Sequence, residues 1–277
     1  MKSVIFAGGI GSRLSGLIGN FNKHLLPVGE IPLITRSISQ LYKGGIDEFI
    51  IMTDREWIDS FRSLFDKQRI TNKEIMSSIK IKACKGKGLP LLDILNEASS
   101  FIGQEDFILF LGDNLFIDSI DILIKKLINT TNINSIVLSK TFSPSNFGVP
   151  TIVDSKIKEI IEKPINPFGN LVVTGIAKYE NEIYEIIRFL IKNDTPNRDL
   201  TTLHNILIKN NKLDYIVWTG RWFDIGTVES YKMALITLRE SYKKLLSFSH
   251  NQLISNMLKE YKIYNKILSL YEEINNE

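Results

Sequence analysis

A short apolar run, Val4-Ile5-Phe6-Ala7, feeds directly into Gly8, Gly9 and Gly11, with Arg13 just beyond the glycines and Lys23 in the stretch that follows. The run reads as a first strand over Lys2–Ala7 that ends in a glycine-rich turn. Glycines let backbone N–H groups approach and cradle an anion. Arg13 and Lys23 are placed to neutralise the outer charge of a polyphosphate. Glycines alone also suit a plain strand-to-helix connection; the two fixed cations are what favour an anion site. Neither common phosphate motif fits. The P-loop pattern is absent, and Leu14 stands where the dinucleotide fingerprint needs a third glycine.

Downstream, β-rich runs alternate with helical spacing. Strands are expected at Glu48–Thr53, Ile79–Ala83 and Phe107–Leu111, separated by helices over Pro32–Lys43, near Trp57–Phe65 and over Leu91–Ala98. Such alternation predicts an α/β fold: a mostly parallel, mixed, twisted sheet with helices on both faces. The second half reads as a strand over Ser135–Thr141 and a hairpin turning at Asp154-Ser155. A strand over Leu171–Tyr179, two helices and a strand over Leu213–Trp218 follow. From Val228 the pattern is helical, which divides the chain into residues 1–227 and a C-terminal helical extension over 228–277. Asn251 and Ser255 are expected to break that extension into two helices. Leu253, Met257, Tyr261 and Tyr264 give it an apolar face, for the domain itself or for a second copy in a homo-oligomer.

Binding sites in such sheets gather at the carboxyl ends of the strands. Asp113 follows the apolar run Phe107–Leu111, and Asp224 sits in Trp222-Phe223-Asp224-Ile225-Gly226-Thr227. Two carboxylates reached from distant positions suit Mg²⁺, which binds through one or two carboxylates plus substrate phosphates. Each aspartate taken singly also suits a turn or a helix cap.

Composition narrows the function classes. The chain has 277 residues, 44% of them hydrophobic and 23% charged, as in an ordinary globular protein. A formal net charge of +3 is too small to argue for nucleic-acid binding. One cysteine, Cys84, forms no internal disulfide and fits a reducing compartment. No secretory leader is visible and no run approaches the ~20 apolar residues of a membrane span, so a cytoplasmic location without membrane partners is expected. His24, His204 and His250 lack any metal-ligand pattern and read as plain core or surface residues.

Seven segments, in order and at the right approximate spacing, make the chain resemble the sugar-1-phosphate nucleotidyltransferases, and within them the glucose-1-phosphate thymidylyltransferases. They are Ala7-Gly8-Gly9-Ile10-Gly11-Ser12-Arg13-Leu14, Lys23-His24-Leu25-Leu26-Pro27-Val28 and Leu111-Gly112-Asp113-Asn114. Asn146-Phe147-Gly148-Val149, Glu162-Lys163-Pro164, Val173-Thr174-Gly175 and the Trp222–Thr227 segment complete them. The resemblance implies the nucleotide-diphospho-sugar transferase fold and transfer of a nucleotidyl group from a nucleoside triphosphate, dTTP or UTP favoured, to a sugar 1-phosphate, glucose 1-phosphate favoured. It implies that Gly8, Gly9, Gly11 and Gly88 face the nucleotide, Arg13 the leaving pyrophosphate and Lys23 the reacting phosphates. Asp113 and Asp224 would bind Mg²⁺. Gly148, Glu162 and Val173 would contact the sugar, and Lys163 its phosphate. That nucleophile is already ionised at neutral pH, so no general base is required.

The match departs in three places. Gly88-Leu89-Pro90-Leu91 puts Leu91 where the family carries a base-reading glutamine. Asp199-Leu200-Thr201-Thr202 puts Thr202 in place of an aspartate, and Ser15–Gly19 replaces a stretch with proline and threonine. These departures raise the alternative of a non-catalytic relative that binds a nucleotide sugar and regulates a partner.

Overall fold

A computed structural model describes residues 1–9, 11–68, 78–131, 133–242 and 251–276. Ile10, Lys243, Lys244 and His250 lie outside these described residues. The first part runs β1 (Lys2–Phe6), α1 (Ser15–Ile18), β2 (Pro27–Val28), β3 (Ile31–Pro32), α2 (Leu33–Lys43) and β4 (Glu48–Thr53). It continues through α3 (Ile58–Gln68), β5 (Ile79–Ala83), α4 (Leu91–Ile102), β6 (Phe107–Leu111), β7 (Asn114–Phe116) and α5 (Asp121–Ile128). The second part holds β8 (Asn134–Lys140), β9 (Gly148–Val153), β10 (Lys156–Glu162), β11 (Leu171–Tyr179), α6 (Ile183–Lys192) and α7 (Leu200–Lys209). It ends with β12 (Leu213–Trp218), β13 (Trp222–Asp224), α8 (Val228–Tyr242), α9 (Gln252–Glu260) and α10 (Tyr264–Asn276).

The central sheet has seven strands in the order β12-β8-β11-β6-β1-β4-β5. All neighbours are parallel except β11, which runs antiparallel to both β6 and β8. The expected mixed sheet is therefore present. Side chains alternate across it with the period of two that a strand imposes. Ile5, Ile51, Phe110 and Val137 point to one face, where buried residues of α2, α3, α5 and α8 cover them. Val4, Phe6, Met52, Leu109 and Leu138 point to the other, against α4, α6 and α7. The stripe Leu92, Leu95, Ala98 and Ile102 on α4 shows how helical spacing meets that second face.

The hairpin β9–β10 turns where expected. Asp154 and Ser155 both have positive φ, 50° and 58°, the backbone a two-residue turn needs to match strand twist.

The C-terminal region differs from the sequence reading. Among the described residues, three helices stand from Val228 onward rather than two. Asn251 does cap a helix, its side chain accepting from Ile254 N–H at 3.3 Å. Ser255 marks no break; it lies buried inside α9. The second interruption falls instead near Lys262, whose φ of 57° turns the chain between α9 and α10. Ile254, Leu258, Ile267 and Tyr271 are buried in the same core as β1 and α2, and Leu253, Met257, Tyr261 and Tyr264 pack half-buried around them. Among the described residues no helix is long and apolar enough to cross a membrane.

Candidate active site

The glycine loop leaves the carboxyl end of β1 and is pinned at once. Ala7 O accepts from Asn22 Nδ2 and Thr53 Oγ1, both at 2.9 Å. Gly9 has φ +108°, backbone that side-chain-bearing residues rarely adopt, and its N–H donates to Asp54 Oδ2 at 3.1 Å. A tight turn over Ser12–Leu14 then carries Arg13, anchored by the buried Leu14. Asn22 also caps the turn that presents Lys23, accepting from His24 N–H at 2.9 Å. One buried amide side chain thus fixes the start of the loop and the approach of the second cation.

The two aspartates meet through a ladder the sequence reading did not foresee. β7 pairs antiparallel with β13, setting Asn114 opposite Asp224. Ile225 N–H donates to Asp113 O at 2.8 Å, which extends the ladder by a residue. Lys23 Nζ lies 2.6 Å from Asp113 Oδ2, and Asn114 Nδ2 donates to Asp113 Oδ1 at 3.0 Å. Burial opposes ionisation of Asp113, yet the Lys23 ammonium holds its pKa below the ordinary carboxylate range. Asp224 is pushed up to about 7, first by burial and then by the Asp113 carboxylate, against the pull of Lys23, Arg13 and Lys163. Two acids and three cations therefore share one electrostatic environment. Gly226 permits it: a Cβ there would lie 2.8 Å from both Arg13 Nη2 and Asp224 Oδ2.

Among the described residues no cluster of three or more His, Cys, Asp or Glu could hold a metal. The Asp113–Asp224 pair offers oxygen donors only, too few for a cage. It could hold an Mg²⁺ whose remaining ligands are phosphate oxygens and water.

A cleft of about 230 Å³ opens beside the pair, and Arg13, Gly148, Glu162, Lys163, Val173 and Asp224 all line it. Glu162, at the end of β10, is held from two sides: Thr201 Oγ1 donates to Oε2 at 2.8 Å and Lys163 Nζ lies 3.1 Å from Oε1. Asn205 clamps β10 to α7, accepting from Ile160 N–H and donating to Ile160 O, both at 2.8 Å. On the other side of the glycine loop a hollow of about 300 Å³ is lined by Gly9, Asp54, Trp57, Lys87 and Tyr261. The predicted residues thus divide. Six share the first cleft, Lys23 and Asp113 join it through their ion pair and Asp224, and Gly9 faces the second hollow. Gly8 and Gly11 stay with the loop, whereas Gly88 (φ +66°) follows Lys87 and lines neither space.

Sequence reasoning gave Asn114 no role, yet its Oδ1 accepts from Gly175 N–H at 2.9 Å and from Trp222 Nε1 at 2.7 Å. This side chain ties β11, β13 and Asp113 together. Leu91, Thr201 and His204 also line the cleft. Cys84 is buried and free, with its thiol pushed up to about 12, first by burial, so it is not a nucleophile.

A family model described as Nucleotidyl transferase matches residues 2–259. The chain is 33% identical over 233 residues to the Bifunctional protein GlmU of Methanococcus aeolicus, covering 82% of this chain and 51% of that protein. It therefore spans about half the length of that relative. It is 29% identical over 235 residues to a glucose-1-phosphate thymidylyltransferase of Neisseria meningitidis, covering 83% of this chain and 80% of the relative. Among solved structures, one provisionally described as a glucose-1-phosphate thymidylyltransferase from Bacillus anthracis, with sucrose bound, superposes with a TM-score of 0.75 at 31% identity. It covers 87% of this chain and 96% of that one.

Proposed function

The chain belongs to the nucleotidyl transferase family, and from that premise we propose that it transfers a nucleotidyl group from a nucleoside triphosphate to a sugar 1-phosphate, releasing pyrophosphate. The observation that carries this reading is the convergence of Asp113, Asp224, Lys23 and Arg13 beside a cleft that Glu162, Lys163, Gly148 and Val173 also line.

The chemistry is a matter of charge. A sugar phosphate oxygen attacks the α-phosphate of the triphosphate while pyrophosphate leaves, and two anions must be brought together. Arg13 faces the departing pyrophosphate, Lys23 the reacting phosphates and Lys163 the sugar phosphate. Held around one cleft, these fixed cations offset the repulsion by position. Mg²⁺, when bound by Asp113 and Asp224, adds charge neutralisation at the phosphates. Glu162 accepts hydrogen bonds from sugar hydroxyls, and Gly148 and Val173 act through their backbones. The nucleophile needs no base, which agrees with buried, neutral histidines at 24 and 204.

dTTP or UTP and glucose 1-phosphate are the favoured pair, on the motif resemblance and on the names of the Neisseria and Bacillus proteins. Leu91 on the cleft wall stands where the family carries a base-reading glutamine, so selection among bases falls to other groups of the nucleotide site. The test is a panel of nucleoside triphosphates against several sugar 1-phosphates with Mg²⁺, read by pyrophosphate release. Release with a pyrimidine triphosphate is expected. Silence across the panel, with tight nucleotide-sugar binding by calorimetry, would replace this reading with that of a non-catalytic regulator.

A further inference from the structure

The spaces around the glycine loop follow the strand order. The first cleft, with Glu162 and Lys163, is lined by Leu111 at the end of β6 and by Val173 on the neighbouring β11. The glycine loop leaves β1, the next strand along. Beyond β1 stand β4 and β5, and the hollow of about 300 Å³ lies on that side: Asp54 follows β4, Lys87 follows β5 and Gly9 belongs to its lining. With the sugar phosphate in the first cleft and the phosphate chain at the loop, the nucleoside of the triphosphate has this second space to enter.

The hollow suits a flat ring with a polar edge. Trp57 and Tyr261 stand in its lining with ring centroids 5.0 Å apart, and Phe21 packs edge-on against both at 5.7 and 5.2 Å. Such rings pack against nucleobases of any kind, so they hold a base without choosing it. The choice falls to polar atoms. Asp54 is half-buried, and its Oδ2 accepts from Gly9 N–H at 3.1 Å. Among the described residues its Oδ1 has no hydrogen-bond partner, and it is not one of the polar atoms shut off from solvent. One oxygen thus fixes the side chain on the glycine loop. The other is open, and a carboxylate oxygen can only accept.

We infer that Asp54 is the base-reading residue of the chain: its Oδ1 accepts from the ring N–H of a uracil, thymine or guanine seated in the hollow. The inference rests on the proposed nucleotidyl transfer and names the class of base it uses. Leu91 has no polar atom for this task. The selection is one of lone pairs. Uracil and thymine carry N3–H, and guanine N1–H, on the edge by which bases pair. Cytosine N3 and adenine N1 carry a lone pair at that place, which a carboxylate repels. Because the reading oxygen and the loop anchor belong to one carboxylate, a well-read base also holds Gly9 in place beside the phosphates.

Asp54→Asn reverses this edge without moving it. The amide oxygen can keep Gly9 N–H, and the amide nitrogen turns a donor toward the base. The kcat/KM of UTP, dTTP, GTP, CTP and ATP is measured by pyrophosphate release with glucose 1-phosphate and Mg²⁺, and the affinity of each by calorimetry. Wild type should prefer UTP to CTP by at least about 10-fold, and Asp54→Asn should move that ratio toward CTP by about 10- to 100-fold. The KM of glucose 1-phosphate should stay within about 2-fold. N3-methyluridine triphosphate lacks the donor. It should bind wild type about 10-fold less tightly than UTP, and its deficit should shrink in Asp54→Asn, the signature of a direct pair.

A wild-type preference for UTP, dTTP or GTP supports the inference, and a preference for CTP or ATP overturns it. So does an unmoved ratio in Asp54→Asn, or an equal fall for every base, which marks a role in holding Gly9 alone. N3-methyluridine triphosphate binding wild type as tightly as UTP overturns it without recourse to any variant. Absence of all nucleotide binding would remove the inference together with the proposed function. A base preference in binding that Asp54→Asn reverses, with no pyrophosphate released, would keep Asp54 as the reader and remove only the transfer reaction.

Discussion

Lys23 Nζ sits 2.6 Å from Asp113 Oδ2, so the cation proposed to face the reacting phosphates is tethered to one of the two acids of the site. The side chains are 12% and 20% exposed, which keeps the pair from being screened like a surface bridge. Lys23→Met should lower transfer by about 10²–10³-fold, the usual effect of losing one positioned charge. It should also cost about 3–5 kcal/mol of stability, because Asp113 stays behind without its partner. Steady-state kinetics beside thermal melting reads both, and a variant with full activity removes Lys23 from the mechanism.

Asp224 has its pKa raised, to about 7. A carboxyl that prefers its neutral form in the folded state contributes stability below its unfolded value near 3.8, and that contribution is lost as pH rises through about 7. Asp224→Asn keeps the site neutral. At pH 8 without divalent cations this variant should melt above the wild type, while transfer falls at least about 10³-fold. Asp113→Asn should lose activity to a similar extent without the gain, since its acid is already stabilised by Lys23. Melting curves and pyrophosphate release separate the two aspartates.

His24 and His204 have pKa values pushed down to about 3, in both cases chiefly by burial. The unfolded chain takes up these protons near pH 6.5 and the folded chain only near 3. Their contribution to stability is therefore complete above about 6.5 and drains away as pH falls toward 3. Melting temperature should drop from pH 7.5 to pH 5, and His204→Asn should show a shallower drop. Identical slopes would mean that the imidazole is not held neutral.

Tyr231 and Tyr271 reach from α8 and α10 to the same carbonyl, their hydroxyls donating to Pro27 O at 2.6 and 2.8 Å. Pro27 lies just past the turn that presents Lys23. Tyr271→Phe should cost about 1–2 kcal/mol, and adding Tyr231→Phe should cost more than the sum, since the second loss orphans a buried carbonyl. Denaturant unfolding of the two singles and the double measures this; strict additivity would show that the acceptor is shared in position only.

Much of the fold was legible because its strands are bounded apolar runs. Glu48–Thr53, Ile79–Ala83, Phe107–Leu111, Leu171–Tyr179 and Leu213–Trp218 stand where their composition puts them. The three-residue strands β7 and β13 were not legible: so short a segment carries no period, and each exists only because the other lies beside it. The same holds for Asn114, whose contacts with Gly175 and Trp222 come from residues brought near by the sheet. Lys262 gave no sign of a break because nothing in its type announces left-handed backbone, whereas Asn251 did. The candidate residues of the cleft were readable as an ordered set of motifs, but the place of Leu91, Thr201 and His204 on its wall comes from packing that no local pattern announces.

The β7–β13 ladder also dictates when competence can arise during biosynthesis. Trp222 and Asn114 are 108 positions apart, so a ribosome must extrude the chain past β13 before the two strands can dock. Closing so wide a loop is entropically slow and is rewarded only after the intervening sheet has formed. A nascent or truncated product ending before Asp224 can build β1, β4 and β6 and display the glycine loop with Asp113, but without the second acid. Half-made molecules therefore carry only one carboxylate of the pair.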